Sequence, residues 1–176
     1  MRSSRVVATL LLTLAACSRS DAPAKKDPSP RATASVDSVI TPSGPLVLAR
    51  GVQLVAAGPG ADAAAVIRAE RERASASGRD VVVYVGAKWC EPCQRFHDAA
   101  ERGELDADFP NLTLVAFDLD VDKERLVSAG YVSKLIPLFV VPGPDGRATS
   151  KRFEGSVKGD RAVANISPRL RQMLAR

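Results

Sequence analysis

Val81–Val85 reads VVVYV, apolar at every position, and Cys90 and Cys93 follow almost at once in the stretch KWCEPCQRFH. A half-buried strand alternates apolar and polar residues, so an unbroken apolar run of this length calls for a strand covered on both faces. That requirement excludes a two-layer sheet with one wet side and points to a central strand in a layered α/β domain. The flanking sequence fits. Leu46–Val55 reads as a first extended segment, and Gly58-Pro59-Gly60 breaks it. Asp62 is placed to cap a helix that carries Val66, Ile67, Glu70 and Ala74 at helical spacing and stops at Gly78. The cysteine pair opens a second helix that continues brokenly to Phe109. Leu112–Leu119 is another strand, and Asp122–Gly130 a short helix. Leu138–Val141 and Arg147–Gly155 flank PGPDG as an antiparallel hairpin. A last helix is expected with Ser167 as its cap and Pro168 in its first turn. The order predicts an α/β sandwich around a mixed central sheet of about four to five strands flanked by helices. The chain of 176 residues suffices for one such core, and no internal repeat is present.

The opening MRSSRVVATLLLTLAAC has two arginines, an apolar run and small residues, the layout of an export signal and too short to span a bilayer comfortably. Leu14-Ala15-Ala16-Cys17 resembles the lipobox of bacterial lipoproteins. The resemblance implies a signal peptide over residues 1–16 and acylation of Cys17. Two or more acyl chains, at about 0.8 kcal/mol per buried methylene, anchor a domain to a bilayer without a transmembrane helix. Residues 17–45 are rich in Pro, Ser, Ala and charge, and read as a flexible tether. The folded domain is expected over 46–176. Ser18, where family sorting rules place an aspartate for the inner membrane, favours the periplasmic side of the outer membrane. Arg2 and Arg5 account for two of the net +5 charges. The remainder is too small to indicate nucleic acid, and the basic stretch after Lys151 reads as a solvated face.

Three cysteines divide into Cys17 and the pair. A cysteine where a buried strand hands over to a helix faces unpaired N–H groups and the positive helix end. Such positions bring the first thiol of a Cys-X-X-Cys motif from about 8.5 to roughly 3.5–7.5. Cys90 is then the attacking nucleophile. Cys93, one turn further in, suits the resolving step. Pro92 lacks an N–H that would be unpaired there in any case. The rival chemistry is copper(I) or zinc held by Cys90, Cys93 and His97 at i, i+3 and i+7. No further cysteine or histidine completes such a site, so no metal is expected and His97 reads as a polar residue on the helix flank. Asp118–Lys123 superficially suggests a calcium loop, but Lys123 and Ala129 stand where glycine and glutamate are needed. These aspartates read as a strand end and a helix cap. Asn165 starts a glycosylation tripeptide without meaning in this context.

WCEPC after VVVYVGAK resembles the active site of the thioredoxin superfamily, and the resemblance extends over about residues 61–175. It includes Ile136-Pro137 immediately before a strand, Gly155 after the hairpin and Trp89 before the first cysteine. It is most similar to periplasmic thioredoxin-like lipoproteins and to the C-terminal domain of the transmembrane disulfide reductase. The resemblance implies a cis Pro137 facing the cysteines, with Trp89, Ile136 and Pro137 as the substrate surface. It also implies a thiol-disulfide oxidoreductase acting on protein thiols and disulfides without a cofactor, as a monomer, and recharged by a membrane reductase. No histidine lies between the cysteines, which favours a reductase or isomerase over a strong oxidant. Three departures stand out. Tyr84 occupies the place of the family's buried aspartate, and Ala116 that of its partner lysine. Glu91 replaces the usual glycine, and its charge opposes that of Lys88 in tuning Cys90. A thioredoxin-like module that binds a partner without chemistry is the third reading.

Overall fold

The computed structural model describes residues 50–60 and 62–175. The export signal, Cys17, the tether and the start of the first extended segment lie outside the described residues. Among the described residues five strands and four helices follow in the order β1 (Gly51–Ala56), α1 (Ala63–Ala76), β2 (Asp80–Gly86), α2 (Glu91–Glu101), β3 (Asn111–Asp118), α3 (Leu119–Ser128), β4 (Leu138–Pro142), β5 (Ala148–Glu154) and α4 (Arg161–Leu174). The sheet order is β1-β3-β2-β4-β5. The first three strands run parallel, β4 runs antiparallel to β2, and β5 antiparallel to β4. This is the mixed, helix-flanked sheet that the sequence predicts.

The apolar run of β2 is explained by its neighbours. Val82 and Tyr84 point to one face, where Leu112, Leu114 and Phe139 join them under Phe96 of α2 and Ile166 and Leu170 of α4. Val81, Val83 and Val85 point to the other, with Val115 and Val140, under Ile67 of α1 and Leu126 of α3. Strand period two thus feeds two cores from one segment. Fully burying each such side chain contributes about 1.5–3 kcal/mol. Below α2 the aromatic rings interlock: Phe96 meets Phe139 edge-on at 4.9 Å, and Phe139 stacks on Tyr84 at 5.2 Å and on Phe153 at 4.8 Å.

Local chemistry sets the ends. Asp62 caps α1, its carboxylate accepting from Ala65 N–H at 3.0 Å. Asp118 ends β3 and caps α3, accepting from Asp120 N–H at 2.9 Å, while Asp122 accepts from Asp118 N–H at 2.9 Å. The paired aspartates start α3 at Leu119, three residues before the expected position. Helix α2 stops at Glu101 and turns lead to Phe109, so no broken helix continues there.

The last helix departs most from expectation. It begins at Arg161 with Asp160 at the cap position, and Pro168 lies inside it. Ser167 is no cap; its hydroxyl donates back to the Val163 carbonyl at 3.0 Å. An interior proline costs about 3 kcal/mol. Burial of Ile166 and Leu170, each fully enclosed, and of Met173 on the same face offsets that cost. Among the described residues no helix is long and apolar enough to cross a membrane.

The hairpin turn presses on α1. Gly146 has φ +80°, and a Cβ there would lie 2.0 Å from the Ala64 carbonyl oxygen, whereas Gly78, at φ +66°, has open space. Gly146→Ala therefore loses about 3 kcal/mol or more in urea denaturation, because backbone must move as well as twist. Gly78→Ala loses about 1 kcal/mol from the left-handed backbone alone. Equal losses would show that the close approach does not hold.

Candidate active site

The chain leaves β2 at Gly86 and reaches the start of α2 within four residues, which sets Cys90 at the helix N-cap with extended backbone, φ −88° and ψ 100°. Its N–H donates to the Ala87 carbonyl at 3.1 Å, and its own carbonyl accepts from Gln94 N–H at 3.0 Å. The side-chain amide of Gln94 also donates to the Lys88 carbonyl, fastening the turn. Cys90 and Cys93 are joined by a disulfide, S–S 2.05 Å and Cα–Cα 5.2 Å. Both are buried, Cys90 at 5% exposure and Cys93 at 1%.

The two sulfur-bearing residues open on different sides of the helix start. Cys90 lines a groove of about 690 Å³ with Trp89, Leu135, Ile136, Val157 and Arg169. Cys93 lines a separate pocket of about 300 Å³ with Tyr84, Gly86, Lys88, His97 and Asp98. Lys88 therefore borders the pocket behind Cys93 and is not among the groove residues.

The groove is held by polar contacts that composition does not announce. Trp89 is 66% exposed, and its indole N–H donates to Asp120 Oδ2 at 2.8 Å, which fixes the ring against the start of α3. Across the groove the Ile136–Pro137 peptide is cis. Pro137 is buried and does not line the groove itself; its carbonyl accepts from Gly155 N–H at 2.8 Å. Gly155 has φ +69°, and a Cβ there would crowd Leu135 at 3.1 Å. Glu154 grips the same loop: Ser133 Oγ donates to its carboxylate at 2.6 Å and Lys134 N–H at 3.2 Å. Those bonds, the Ser133 hydroxyl first, hold Glu154 below the ordinary carboxylate range. Arg169 closes the back, donating to the carbonyls of Gly155 at 2.6 Å and Glu154 at 2.8 Å while its guanidinium lies 4.3 Å over the Phe153 ring. Ser133, Glu154, Asp120 and Arg169 are site residues that sequence reasoning missed. Only the spacing of Glu154 next to Gly155 offered a hint.

Tyr84 serves as a structural donor. Its hydroxyl gives a hydrogen bond to the Cys93 carbonyl at 2.9 Å. Burial, with the Asp98 carboxylate in second place, pushes the phenol above its ordinary range. Gly86 makes room for it, since a Cβ there would sit 2.7 Å from the Tyr84 oxygen. Ala116 lines the pocket beside them.

Glu91, between the cysteines, is turned into a brace. Gly159 N–H donates to its carboxylate at 3.0 and 3.1 Å, and Arg95 pairs with it from one turn on. Arg95 continues to Asp160 Oδ1 at 2.8 Å. The carboxylate is thereby offset by a guanidinium, and the start of α2 is tied to the loop before α4. His97 Nε2 lies 3.2 Å from Glu101 Oε1, and its ring stacks on Tyr84 at 6.5 Å. Among the described residues no group of three or more His, Cys, Asp or Glu stands together to hold a metal ion.

A mixed five-stranded sheet with helices on both faces and a Cys-X-X-Cys disulfide at a helix start is a thioredoxin-like α/β fold. No family model and no curated protein matches the chain. Among solved structures it is similar to thioredoxin O1 from Arabidopsis thaliana in the oxidized state, at 19% identity over 61% of this chain and 87% of that one, with a TM-score of 0.39. At that distance the site has to be understood from its own geometry.

The hydrogen bond from Arg95, followed by those from Gly159, keeps Glu91 below the usual carboxylate range. A carboxylate so depressed contributes stability that is present above its unfolded pKa and is lost as pH falls through the folded one. Carbon-detected NMR titration is expected to find Glu91 ionising below ordinary glutamate, and Arg95→Ala to move it up. An unmoved titration in that variant would remove Arg95 as the cause.

Proposed function

We propose that the chain is a thiol-disulfide oxidoreductase of the bacterial envelope that reduces or isomerises protein disulfides. The observation that carries this is the Cys90–Cys93 disulfide at the start of α2, with Cys90 bordering a groove large enough for an extended peptide. In the reduced protein the N–H groups and positive end of α2 favour a Cys90 thiolate. That thiolate attacks one sulfur of a substrate disulfide. A Cys90–substrate S–S bond forms, the substrate S–S bond breaks, and the first substrate thiolate leaves and takes up a proton. Cys93, deprotonated, then attacks Cys90. The Cys90–Cys93 bond forms and the second substrate thiolate departs. The substrate gains two electrons and the protein loses them, ending with the cysteine pair bonded to each other.

Trp89 and Ile136 supply apolar surface to the groove that Cys90 lines, and Pro137, whose carbonyl accepts from Gly155 N–H, anchors the cis peptide that presents Ile136. Glu91 is engaged with Arg95 and Gly159, so its charge opposes a Cys90 thiolate less than that of a free carboxylate would. Lys88, bordering the other pocket, favours an anion there through space. A reductant in an oxidising periplasm has to be recharged, and a membrane thiol reductase is the fitting electron donor. The lipobox-like Leu14-Ala15-Ala16-Cys17 supports tethering by acyl chains on Cys17 to the periplasmic side of the outer membrane.

In an insulin-reduction assay Cys90→Ser abolishes turnover, while Cys93→Ser loses turnover and accumulates mixed disulfides with substrate, visible on non-reducing gels. Full activity of Cys90→Ser would sink the reading. For the tether, cells expressing the full chain and fed labelled palmitate yield labelled protein, and Cys17→Ser yields none. Label retained in that variant would remove the anchor from the proposal.

A further inference from the structure

Resolution by Cys93 needs somewhere to put its proton, and the groove offers no route: Cys93 is 1% exposed and borders the opposite pocket. The residue nearest to hand is Tyr84, but its hydroxyl already donates to the Cys93 carbonyl, and its proton is held more firmly than an ordinary phenol's. It is a brace and no acceptor.

We propose that the pocket behind Cys93 is the proton outlet of the resolving thiol, with His97 as the acceptor, an inference that rests on the oxidoreductase function above. His97 lies one helical turn beyond Cys93 on α2 and lines the same pocket. The Tyr84 ring forms a platform between them: its face stacks on the His97 ring and its hydroxyl reaches the Cys93 carbonyl. Gly86 and Ala116 keep the space clear, and about 300 Å³ admits several waters at roughly 30 Å³ each. With Glu101 3.2 Å from Nε2, the proton of neutral imidazole is assigned to Nε2, which leaves the Nδ1 lone pair to accept.

The other charged and titratable groups around His97 are less suited. Lys88, from the turn after β2, is a cation with no lone pair to offer. Asp118, at the end of β3, accepts the Asp120 N–H as the cap of α3. Asp98 and Glu101 on α2 are exposed carboxylates, and a carboxylate is a weaker base toward a thiol than an imidazole. Imidazole is better matched near neutrality. The step balances as follows. The Cys93 S–H proton passes through pocket water to His97 Nδ1. The freed sulfur electron pair forms the Cys93–Cys90 bond, the Cys90–substrate bond breaks, and the substrate leaves as a thiolate. The imidazolium then returns its proton to solvent through the open pocket.

The test uses the full chain carrying Cys17→Ser, so that Cys90 and Cys93 supply all the thiols. Mixed rapidly with Ellman's reagent, the reduced protein releases one aromatic thiolate when Cys90 attacks and a second when Cys93 resolves. His97→Ala, and His97→Gln with a similar volume, leave the first release unchanged and slow the second at least about tenfold at neutral pH. Added imidazole restores the second release in His97→Ala, and so does raising the pH to about 9. Asp98→Asn slows the second release far less than either His97 variant. A second release unaffected in both His97 variants, or slowed equally at both pH values without imidazole rescue, overturns the proposal. So does a loss confined to Asp98→Asn. Absence of the first release in the unsubstituted pair would instead overturn the oxidoreductase function itself.

Discussion

Burial of β2 on both faces is the constraint from which the site follows. Because Val82 and Tyr84 are locked under α2 and α4 while Val81, Val83 and Val85 are locked under α1 and α3, the strand can neither rotate nor slip in register. Its exit at Gly86 is therefore fixed in space, and the short turn that follows leaves little freedom in where α2 begins. The cysteine at that helix start inherits its position from valines that never meet a substrate. Phe96 completes the lock, since its ring packs edge-on against Phe139 in the core cluster that also holds both cysteines.

The disulfide divides its surroundings in two. On the Cys90 side Trp89, Leu135, Ile136 and Val157 supply apolar wall, and Ser133, Glu154 and Arg169, which bond to one another's loops, line the same groove. On the Cys93 side the lining mixes an aromatic platform with ionisable groups. The groove proposed for a guest chain and the pocket proposed for the proton are thus separate spaces, both bordered by the first turn of α2.

Much of this was legible in the residues. The unbroken apolar run announced a central strand, and Asp62 and Asp118 announced helix starts because their side chains can take up orphan N–H groups within the same short stretch. What failed were features settled by tertiary packing. Pro168 looked like a helix opening because proline prefers the first turn, but Ile166, Leu170 and Met173 on one face bind the helix to the sheet strongly enough to carry an interior proline. The wider site was hidden for a related reason. Ser133 to Glu154 and Trp89 to Asp120 are contacts between residues 21 and 31 positions apart, and nothing local in either partner reveals the other. Glu91 could be named as a charge beside Cys90, yet its engagement by Gly159 depends on the loop before α4 arriving at that point.

Arg169 has a consequence for how far the chain can be cut back. From the third turn of α4 it reaches two carbonyls at the end of β5 and covers Phe153, while Gly155 in turn carries the Pro137 carbonyl. The last helix is thus a strut for a wall of the groove that lies distant from it in sequence. A protease that nicked the chain ahead of that arginine would spare both sulfurs, yet strip the buttress from the ledge beside Cys90 and free Leu170 and Met173 from the core that holds Val82.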